Sequence, residues 1–226
     1  PSRPAPETAS LAPPRPPVFC PGCPHRGVFY EIAKHKPVII GDIGCYSLAV
    51  FPPLSAMDMI LCMGAGISSA MGVAKANTGQ KVVGVVGDST FFHSGITGLL
   101  DIAYNRGNVT IFDLDNRSTA MTGHQEHPGT GRTLMGETTG EASIEDFARA
   151  CGIKRIATLN PYDLETMRKV IKEELDAPEP SVIITRAPCI LLKNARAGLE
   201  PVQINEDKCK TCGLCLKLSC PGLEKH

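Results

Sequence analysis

The sequence predicts an α/β fold built on a doubly wound, mostly parallel sheet. Its strand patterns are short runs of β-branched and aliphatic residues at 38–42, 82–86, 109–114, 153–159 and 182–185. Helical patterns separate these runs, and two strands joined by one helix lie parallel with a right-handed crossover. The regular alternation of strand and helix therefore indicates a parallel sheet that helices cover on both faces.

Two helical patterns lie before residue 110. Residues 58–77 are rich in small side chains, which suits a helix that approaches backbone or ligand closely. Two roles are open for Gly64 and Gly66: contact with the diphosphate or ring of a cofactor, or tight packing of the helix on the sheet. Cys62 has no partner at ligand spacing and is predicted to lie in the core. The second pattern, at residues 90–105, has an apolar face formed by Ile96, Leu99, Leu100 and Ala103.

Two further helical patterns follow in the C-terminal half. Residues 144–151 predict a short amphipathic helix. Asn160-Pro161 is predicted to cap a longer helix, since an amide side chain at the cap and a proline in the first turn both favour a helix start. The apolar face of that helix consists of Leu164, Met167, Val170, Ile171 and Leu175.

Composition limits the function classes. The 226 residues suffice for one medium-sized domain with a small appendage. Lys plus Arg and Asp plus Glu balance at 23 each, which gives no electrostatic case for nucleic acid or an anionic membrane as a partner. Residues 59–74 are apolar but too short and too rich in glycine for a membrane span. Ten cysteines, several at C-x-x-C spacing and without a secretory signal, favour metal ligation in a reducing cytoplasm over disulfides.

Three segments are predicted along the chain. Residues 1–17 contain seven prolines and should form an extended linker. Residues 18–196 carry the α/β domain. Residues 197–226 contain a partial ferredoxin-type cluster motif, and because its second half is missing we expect the chain to be a fragment of a longer subunit.

Polar side chains follow two neighbouring strand patterns. Asp88 follows residues 82–86, and Asn116 follows residues 109–114. Because the carboxyl ends of neighbouring parallel strands lie side by side, these two side chains can share one ion. Mg²⁺ takes oxygen ligands and completes its shell with water and phosphate oxygens, and a helix that starts nearby favours an anion. The sequence therefore predicts a diphosphate held through magnesium.

The GDS sequence at residues 87–89, Asn116 and the surrounding stretch DNRSTAMTGHQ resemble the thiamine-diphosphate motif of 2-oxoacid:ferredoxin oxidoreductases. The resemblance is strongest to the large (alpha) subunit of the indolepyruvate type and extends from Phe19 over nearly all of the chain. It implies thiamine diphosphate and Mg²⁺ as cofactors, with a third magnesium contact from the backbone carbonyl of Ser118. The residues that it implies for thiamine diphosphate are Ile43, Gly44, Cys45, Tyr46, Gly87, Ser89, Thr90, Ala120, Met121 and Thr122.

A C-x-x-C pair opens the domain at Cys20 and Cys23. By itself the pair fits half a zinc site, a redox dithiol or two ligands of an iron–sulfur cluster. Cys45 and Cys189 each follow a strand pattern, so we expect them at the sheet edge that carries Asp88. Four cysteines beside a diphosphate site suit a [4Fe–4S] cluster that takes electrons from the cofactor, although Cys189 also fits a small buried core residue. The family resemblance implies the same four cysteines for its proximal cluster.

A second cysteine motif lies near the C-terminus, formed by Cys209, Cys212, Cys215 and Cys220 with a proline after the last. The run C-x-x-C-x-x-C followed by a Cys-Pro pair is typical of bacterial ferredoxins, and a zinc site is the alternative. The last gap is one residue longer than usual and the second half of the motif is absent. We therefore predict a tail that is disordered or binds no metal in this chain.

Three histidines are acid–base candidates because imidazole titrates near neutrality. His93, His124 and His127 lie in polar surroundings, where histidines are commonly solvated, and His124 within MTGHQ is the candidate to test first. Residues 129–140, rich in Gly and Thr, fit a loop over the site or an ordinary surface loop.

The family resemblance implies oxidative decarboxylation of an aryl 2-oxo acid, indolepyruvate, to an acyl-coenzyme A. Electrons would pass through iron–sulfur clusters to ferredoxin. The resemblance also implies a pyrimidine-binding domain and a second (beta) subunit, and because the cofactor-activating glutamate belongs to that domain we expect this chain alone to be inactive. Two other classes stay open: a non-redox thiamine-diphosphate decarboxylase or synthase, and an electron-transfer or zinc-binding module.

Overall fold

Six parallel strands form the sheet at the centre of the fold. In chain order they are β1 (Val38–Gly41), β2 (Met59–Ile60), β3 (Val82–Gly87), β4 (Thr110–Asp115), β5 (Arg155–Leu159) and β6 (Ser181–Arg186). Their order across the sheet is β2-β1-β3-β4-β6-β5, and each neighbouring pair is parallel. The predicted doubly wound sheet is confirmed, and β2 is an additional short strand at its edge.

Helices cover both faces of the sheet. They are α1 (His25–Ala33), α2 (Ala65–Ala76), α3 (Asp88–Thr90), α4 (Ile96–Tyr104), α5 (Ile144–Ala150) and α6 (Leu164–Asp176). On one face α1 and α6 bury a hydrophobic core that includes Phe29, Phe112 and Ile171. On the other face α2, α4 and α5 bury a second core that includes Ile67 and Leu99.

The fold is described by a computed structural model that covers residues 16–76, 79–193, 195–196, 200, 202–218 and 220–223. The linker predicted for residues 1–17 lies outside the described residues except for its last two. Within the described residues, each helix is too short or too polar to traverse a lipid bilayer.

The helical segment after β3 differs from its predicted form. It begins at Asp88, directly after the strand, and a π-helical turn joins α3 to α4. Leu99 is buried as predicted, but Leu100 is 53% exposed, so its assignment to the apolar face is wrong. The buried positions of α4 are Gly98, Leu99 and Ile102.

The pattern at residues 58–77 contains a strand, a turn and a shorter helix instead of one long helix. Cys62 lies exposed in the turn, so the prediction that it belongs to the core is wrong. Gly64 has a φ of +83°, a left-handed conformation that favours glycine. A Cβ atom on Gly66 would lie 2.8 Å from the carbonyl oxygen of Val85. Of the two open roles for Gly66, the structure therefore supports tight packing of α2 on the sheet.

The cap of α6 also differs from the prediction. Asp163 is the N-cap, and its Oδ1 accepts a hydrogen bond from the backbone N–H of Thr166 at 3.1 Å. The side chain of Asn160 instead accepts from the backbone N–H of Tyr162, which forms a turn before the helix. The predicted apolar face is confirmed, since Met167, Ile171 and Leu175 are buried and Leu164 and Val170 pack against the same core.

Candidate functional site

The candidate site lies at the carboxyl edge of the sheet, beside the point where the strand order reverses between β1 and β3. In open α/β sheets, ligands bind in the crevice at such a reversal. Loops that follow β1, β3 and β4 form one cleft there. The cleft is lined by all of the residues predicted for thiamine diphosphate and magnesium: Ile43, Gly44, Cys45, Tyr46, Gly87, Asp88, Ser89, Thr90, Asn116, Ser118, Ala120, Met121 and Thr122.

Asp88 is held in one orientation at the end of β3. Its side chain is buried, and its Oδ1 accepts a hydrogen bond from the backbone N–H of Ser89 at 2.8 Å. Its Oδ2 lies 3.1 Å from Nε2 of His127. A carboxylate has about four acceptor positions, so these two contacts leave acceptor capacity for a cation.

Asn116 and Ser118 form a tight turn after β4. Oδ1 of Asn116 accepts from the backbone N–H of Ser118 at 3.2 Å, and Nδ2 of Asn116 lies 3.4 Å from Nε2 of His25. The hydroxyl of Thr119 donates to the hydroxyl of Ser89 at 2.7 Å, which joins the loops after β3 and β4 directly. The carboxylate, amide and carbonyl oxygens of these loops are the donor types that Mg²⁺ prefers, so the residues present fit a magnesium diphosphate.

Asp42, which follows β1, holds the remaining loop of the cleft in place. Its Oδ2 accepts from the backbone N–H groups of Gly64 and Gly66 at 2.8 and 3.4 Å, and its Oδ1 accepts from the hydroxyl of Tyr46. Burial raises the pKa of Asp42, and these hydrogen bonds oppose that rise. Burial, together with the charge of Asp42, raises the pKa of Tyr46 well above its usual value, so the tyrosine hydroxyl keeps its proton and donates it.

A second, smaller cavity beside the cleft is lined by Cys20, Cys23, Cys45 and Cys189. The backbone N–H of Cys189 donates to the carbonyl of Asn116 at 2.8 Å, and that of Cys23 donates to the carbonyl of Cys20 at 3.0 Å. Burial raises the pKa of Cys23 to about 12 and also raises the pKa values of Cys45 and Cys189. Thiols in this cavity therefore favour the neutral form unless a metal offsets the cost of thiolate charge.

The spacing of these thiols is looser than that of a finished ligand set. Among the described residues, no three Cys, His, Asp or Glu side chains are grouped closely enough to hold a metal ion. The same four cysteines nevertheless line one cavity, and cysteine thiolates are the usual ligands of a [4Fe–4S] cluster. The donor chemistry of the four thiols thus fits a cluster.

His25 forms the wall between the cleft and the cysteine cavity, because its buried ring lines both. Burial lowers the pKa of His25 to about 4, against the opposing charge of Asp88, so the ring is neutral at physiological pH. Its centroid lies 6.4 Å from those of Phe19 and Tyr46, both in edge-on geometry. A packed, uncharged ring thus separates the two cavities.

The three candidate histidines have three different environments. His93 is exposed, as predicted. His124 lies at the cysteine cavity, with its Nδ1 3.2 Å from Oγ of Ser118, and it does not line the cleft itself. The predicted solvation of His127 is wrong, since its side chain is buried against Asp88.

The loop at residues 129–140 has local structure. An antiparallel bridge pairs Arg132 with Thr138, and the loop lines a further cavity that also includes Ser89. The loop therefore lies next to the cleft, which is compatible with either of its two predicted roles.

The C-terminal cysteine segment lies close to the Cys20–Cys23 loop. Its described residues include two short 3₁₀ turns, Glu206–Lys208 and Leu214–Leu218. Cys209, Cys212 and Cys215 are exposed and Cys220 is half-buried, and none of them lines the cavity of the other four cysteines. That this segment is disordered or binds no metal in this chain stays a prediction.

Arg26 joins the C-terminal segment to the domain. Its guanidinium donates to the carbonyl of Leu218 at 2.7 Å and to the carbonyls of Phe19 and Cys20 at 2.7 and 3.0 Å. It also lies 5.5 Å from the centroid of the Phe19 ring, within cation–π distance. One buried side chain therefore connects the first cysteine loop to the last cysteine segment.

Sequence patterns alone do not identify three residues of the site, His25, Arg26 and Asp42, and they name His127 only as an acid–base candidate. Asp42 follows a strand pattern just as Asp88 does, so its position at a strand end is a usable signal. His25 and Arg26 directly follow the C-x-x-C pair, and that adjacency is also visible in the sequence. The contact of His127 with Asp88 has no local signal, because the two residues lie 39 positions apart.

A parallel α/β sheet with oxygen donors at its switch point defines the chain as a diphosphate-binding α/β domain. Comparison with known proteins identifies the family within this class. The chain belongs to the thiamine pyrophosphate enzyme family, since its residues 42–185 match the C-terminal TPP binding domain of that family.

Curated relatives share more than a third of their aligned residues with this chain. Indolepyruvate oxidoreductase subunit IorA of Methanothermobacter marburgensis is 42% identical over 221 residues, and that of Archaeoglobus fulgidus is 38% identical over 224 residues. The alignments cover 93% and 95% of this chain but only 35% and 36% of the relatives. The chain thus spans about a third of the length of the curated relatives it matches.

Solved structures share the fold at low sequence identity. A 2-oxoglutarate:ferredoxin oxidoreductase from Magnetococcus marinus aligns with a TM-score of 0.70 and 20% identity, over 92% of this chain and 78% of that one. A thiamine diphosphate-dependent 4-hydroxybenzoylformate decarboxylase from Rhodococcus jostii RHA1 aligns with a TM-score of 0.54 and 20% identity, over 81% of this chain and 37% of that one.

Arg26→Met should release the C-terminal segment while the domain stays folded. Methionine keeps much of the apolar stem but cannot donate to the carbonyl of Leu218. Limited trypsin digestion followed by mass spectrometry should show faster cleavage at Lys208, Lys210 and Lys217. Arg132→Met, which changes an exposed arginine with a single local hydrogen bond, is the control. Equal cleavage rates in both variants would show that Arg26 does not hold the segment.

Proposed function

We propose that this chain is the thiamine-diphosphate-binding part of a 2-oxoacid:ferredoxin oxidoreductase of the indolepyruvate type. The observation that carries the proposal is the shared wall between the cleft with its oxygen donors and the cavity with its four cysteines. A cofactor that donates electrons and a cluster that accepts them need this adjacency. Neither half of the arrangement alone favours an oxidoreductase.

The diphosphate half of the site would use the loops after β3 and β4. Asp88, Asn116 and the backbone carbonyl of Ser118 would hold Mg²⁺, and Ser89 and Thr90 would donate to the diphosphate oxygens. The hydrogen bond between Thr119 and Ser89 fixes the spacing of the two loops, so the donors are arranged before a ligand arrives.

The cluster half would use Cys20, Cys23, Cys45 and Cys189 to hold a [4Fe–4S] cluster. Cys45 lines both cavities, and the Cys189 backbone is bonded to the Asn116 carbonyl, which brings the two sets of ligands together. Ferredoxin-type ligation by Cys209, Cys212, Cys215 and Cys220 in the whole protein belongs to the same proposal.

Thiamine diphosphate, when bound, supplies the electron sink that decarboxylation of a 2-oxo acid requires, and a [4Fe–4S] cluster accepts single electrons. The residues of this chain position the two groups and exclude water between them, chiefly through the neutral ring of His25. Tyr46 and Asp42 keep the loop after β1 in place. His124 remains the candidate for proton transfer, although it lies beside the cysteine cavity and not in the cleft.

The names and titles of the similar proteins support the proposed partners and substrates. The relatives named for indolepyruvate support an aryl 2-oxo acid as substrate, and a subunit letter in their name supports a second subunit. The Magnetococcus enzyme is described with 2-oxoglutarate, coenzyme A and succinyl-CoA bound, which supports coenzyme A as the acyl acceptor and ferredoxin as the electron acceptor. A pyrimidine-binding domain would complete the active centre, and ten cysteines support a reducing, cytoplasmic setting.

The alternatives explain fewer observations. A non-redox thiamine-diphosphate decarboxylase or synthase would use the cleft but has no use for four thiols in the neighbouring cavity. A zinc-binding or electron-transfer module would use the thiols but leaves the buried Asp88 and its cleft without a purpose.

Asp88→Ala should abolish magnesium-dependent binding of thiamine diphosphate, because the substitution removes the only carboxylate proposed as a ligand. Binding is measured by titration calorimetry with thiamine diphosphate at a fixed Mg²⁺ concentration. Asp101→Ala, at an exposed position on α4, should bind as the unmodified chain does. Unchanged affinity in Asp88→Ala would mean that the carboxylate is wrongly assigned.

Cys189→Ser should lose iron and keep thiamine diphosphate. Protein purified without oxygen should show the broad visible absorption of an iron–sulfur cluster, and elemental analysis should find iron in excess of zinc. The serine variant should be much paler and poor in iron, whereas Cys62→Ser, at the exposed turn before α2, should keep its colour. A colourless, zinc-loaded unmodified protein would instead favour the zinc-binding module.

A further inference from the structure

His127 has both ring nitrogens engaged beside the proposed magnesium ligand. It lies at the start of the 3₁₀ turn Pro128–Thr130, and its Nδ1 accepts a hydrogen bond from the backbone N–H of Gly129 at 3.2 Å. A nitrogen that accepts carries no proton, so the ring proton is on Nε2. Nε2 lies 3.1 Å from Oδ2 of Asp88 and donates to it.

Packing keeps the ring of His127 in this orientation. The ring of Phe92 stacks on it with centroids 6.0 Å apart and an interplanar angle of 27°. A Cβ atom on Gly129 would lie 2.7 Å from Cε2 of Phe92, so glycine allows the turn to approach the aromatic pair closely. Phe92 is in turn edge-on to Phe91 and Phe147, which ties the histidine to the hydrophobic core.

The hydrogen bond between His127 and Asp88 connects two loops that follow different strands. Asp88 follows β3, whereas His127 lies beyond β4 and the turn that carries the other proposed ligands. Oδ1 of Asp88 is fixed by the N–H of Ser89, and Oδ2 is fixed by His127, so the carboxylate cannot rotate about its terminal bond without losing a partner. Buried carboxylates that lose a donor have a large desolvation cost, so this contact restricts Asp88 to one orientation.

We propose that His127 is a positioning residue for the metal site: its Nε2–H orients Asp88 so that the remaining acceptor positions of the carboxylate face the cleft. The inference rests on the proposed function, because it assumes that Asp88 binds Mg²⁺. Residues that hydrogen-bond to metal ligands typically change metal affinity by about 10–100-fold when they are replaced.

The test is a Mg²⁺ titration of thiamine diphosphate binding to the full 226-residue chain. His127→Leu keeps similar bulk but cannot donate, and it should raise the Mg²⁺ concentration for half-maximal binding by roughly 10–100-fold. His127→Gln places an amide N–H close to the position of Nε2, and it should recover most of the affinity. His93→Leu changes an exposed histidine on the neighbouring π-helical turn and should leave the titration unchanged. Circular dichroism on each variant checks that the fold is retained.

A second measurement needs no cofactor. Nitrogen-15 chemical shifts of the His127 ring in the native chain should show a protonated Nε2 and an unprotonated Nδ1, and Asp88→Asn should alter the Nε2 signal. The opposite tautomer would overturn the inference even if His127→Leu failed to fold.

The outcomes separate this inference from the proposed function. If the unmodified chain binds magnesium and thiamine diphosphate but His127→Leu binds Mg²⁺ equally well, the positioning role is wrong and the proposed function stands. If His127→Gln binds Mg²⁺ as weakly as His127→Leu does, an N–H donor at this position does not determine the affinity, and the positioning role is again wrong. If the unmodified chain shows no Mg²⁺-dependent binding, both ideas fail.

Discussion

One backbone hydrogen bond at the edge of the sheet joins the two halves of the site. The ladder between β4 and β6 ends at the pair Asp115 and Arg186, but the N–H of Ala187 still donates to the Asp115 carbonyl, and the N–H of Cys189 donates to the carbonyl of Asn116. Backbone hydrogen bonding thus continues past the last strand residues, with the register shifted by one residue at Cys189. The backbone of Cys189 is held next to that of Asn116 because the strands before them are paired.

Several buried acidic side chains lie at or near the same carboxyl edge of the sheet. Asp113 is fully buried with no hydrogen-bond partner for either oxygen among the described residues, and burial raises its pKa well above its usual value. Asp115 pairs with Arg186, which also forms a two-pronged ion pair with Glu145. For Glu145, burial favours a higher pKa, but the hydrogen bonds from Arg186 and Thr158 outweigh it and lower the pKa to about 2. A divalent cation near Asp88 would offset the remaining negative charge, which agrees with the donor chemistry of the cleft.

The sheet and the residues at its strand ends could be predicted from the sequence, because they depend on local patterns. Runs such as residues 82–86 are buried on both faces and read as strands, and the residue after a parallel strand must lie at its carboxyl edge. Features that depend on contacts between distant parts of the chain could not be predicted from the sequence. Arg26 and His127 act through partners 192 and 39 positions away. The predicted N-cap of α6 was also wrong. Asn160 and Asp163 are equally good N-cap residues by side-chain type, and only the geometry of the turn decides between them.

We propose that a metal diphosphate and an iron–sulfur cluster bind on either side of one shared wall. The most direct measurement is electron paramagnetic resonance on the anaerobically reconstituted chain, with Mn²⁺ in place of Mg²⁺ alongside thiamine diphosphate. We predict that paramagnetic Mn²⁺ broadens the signal of the reduced cluster and speeds its relaxation relative to the Mg²⁺ sample. A cluster signal identical in both samples, with both groups shown to be bound, would contradict the account.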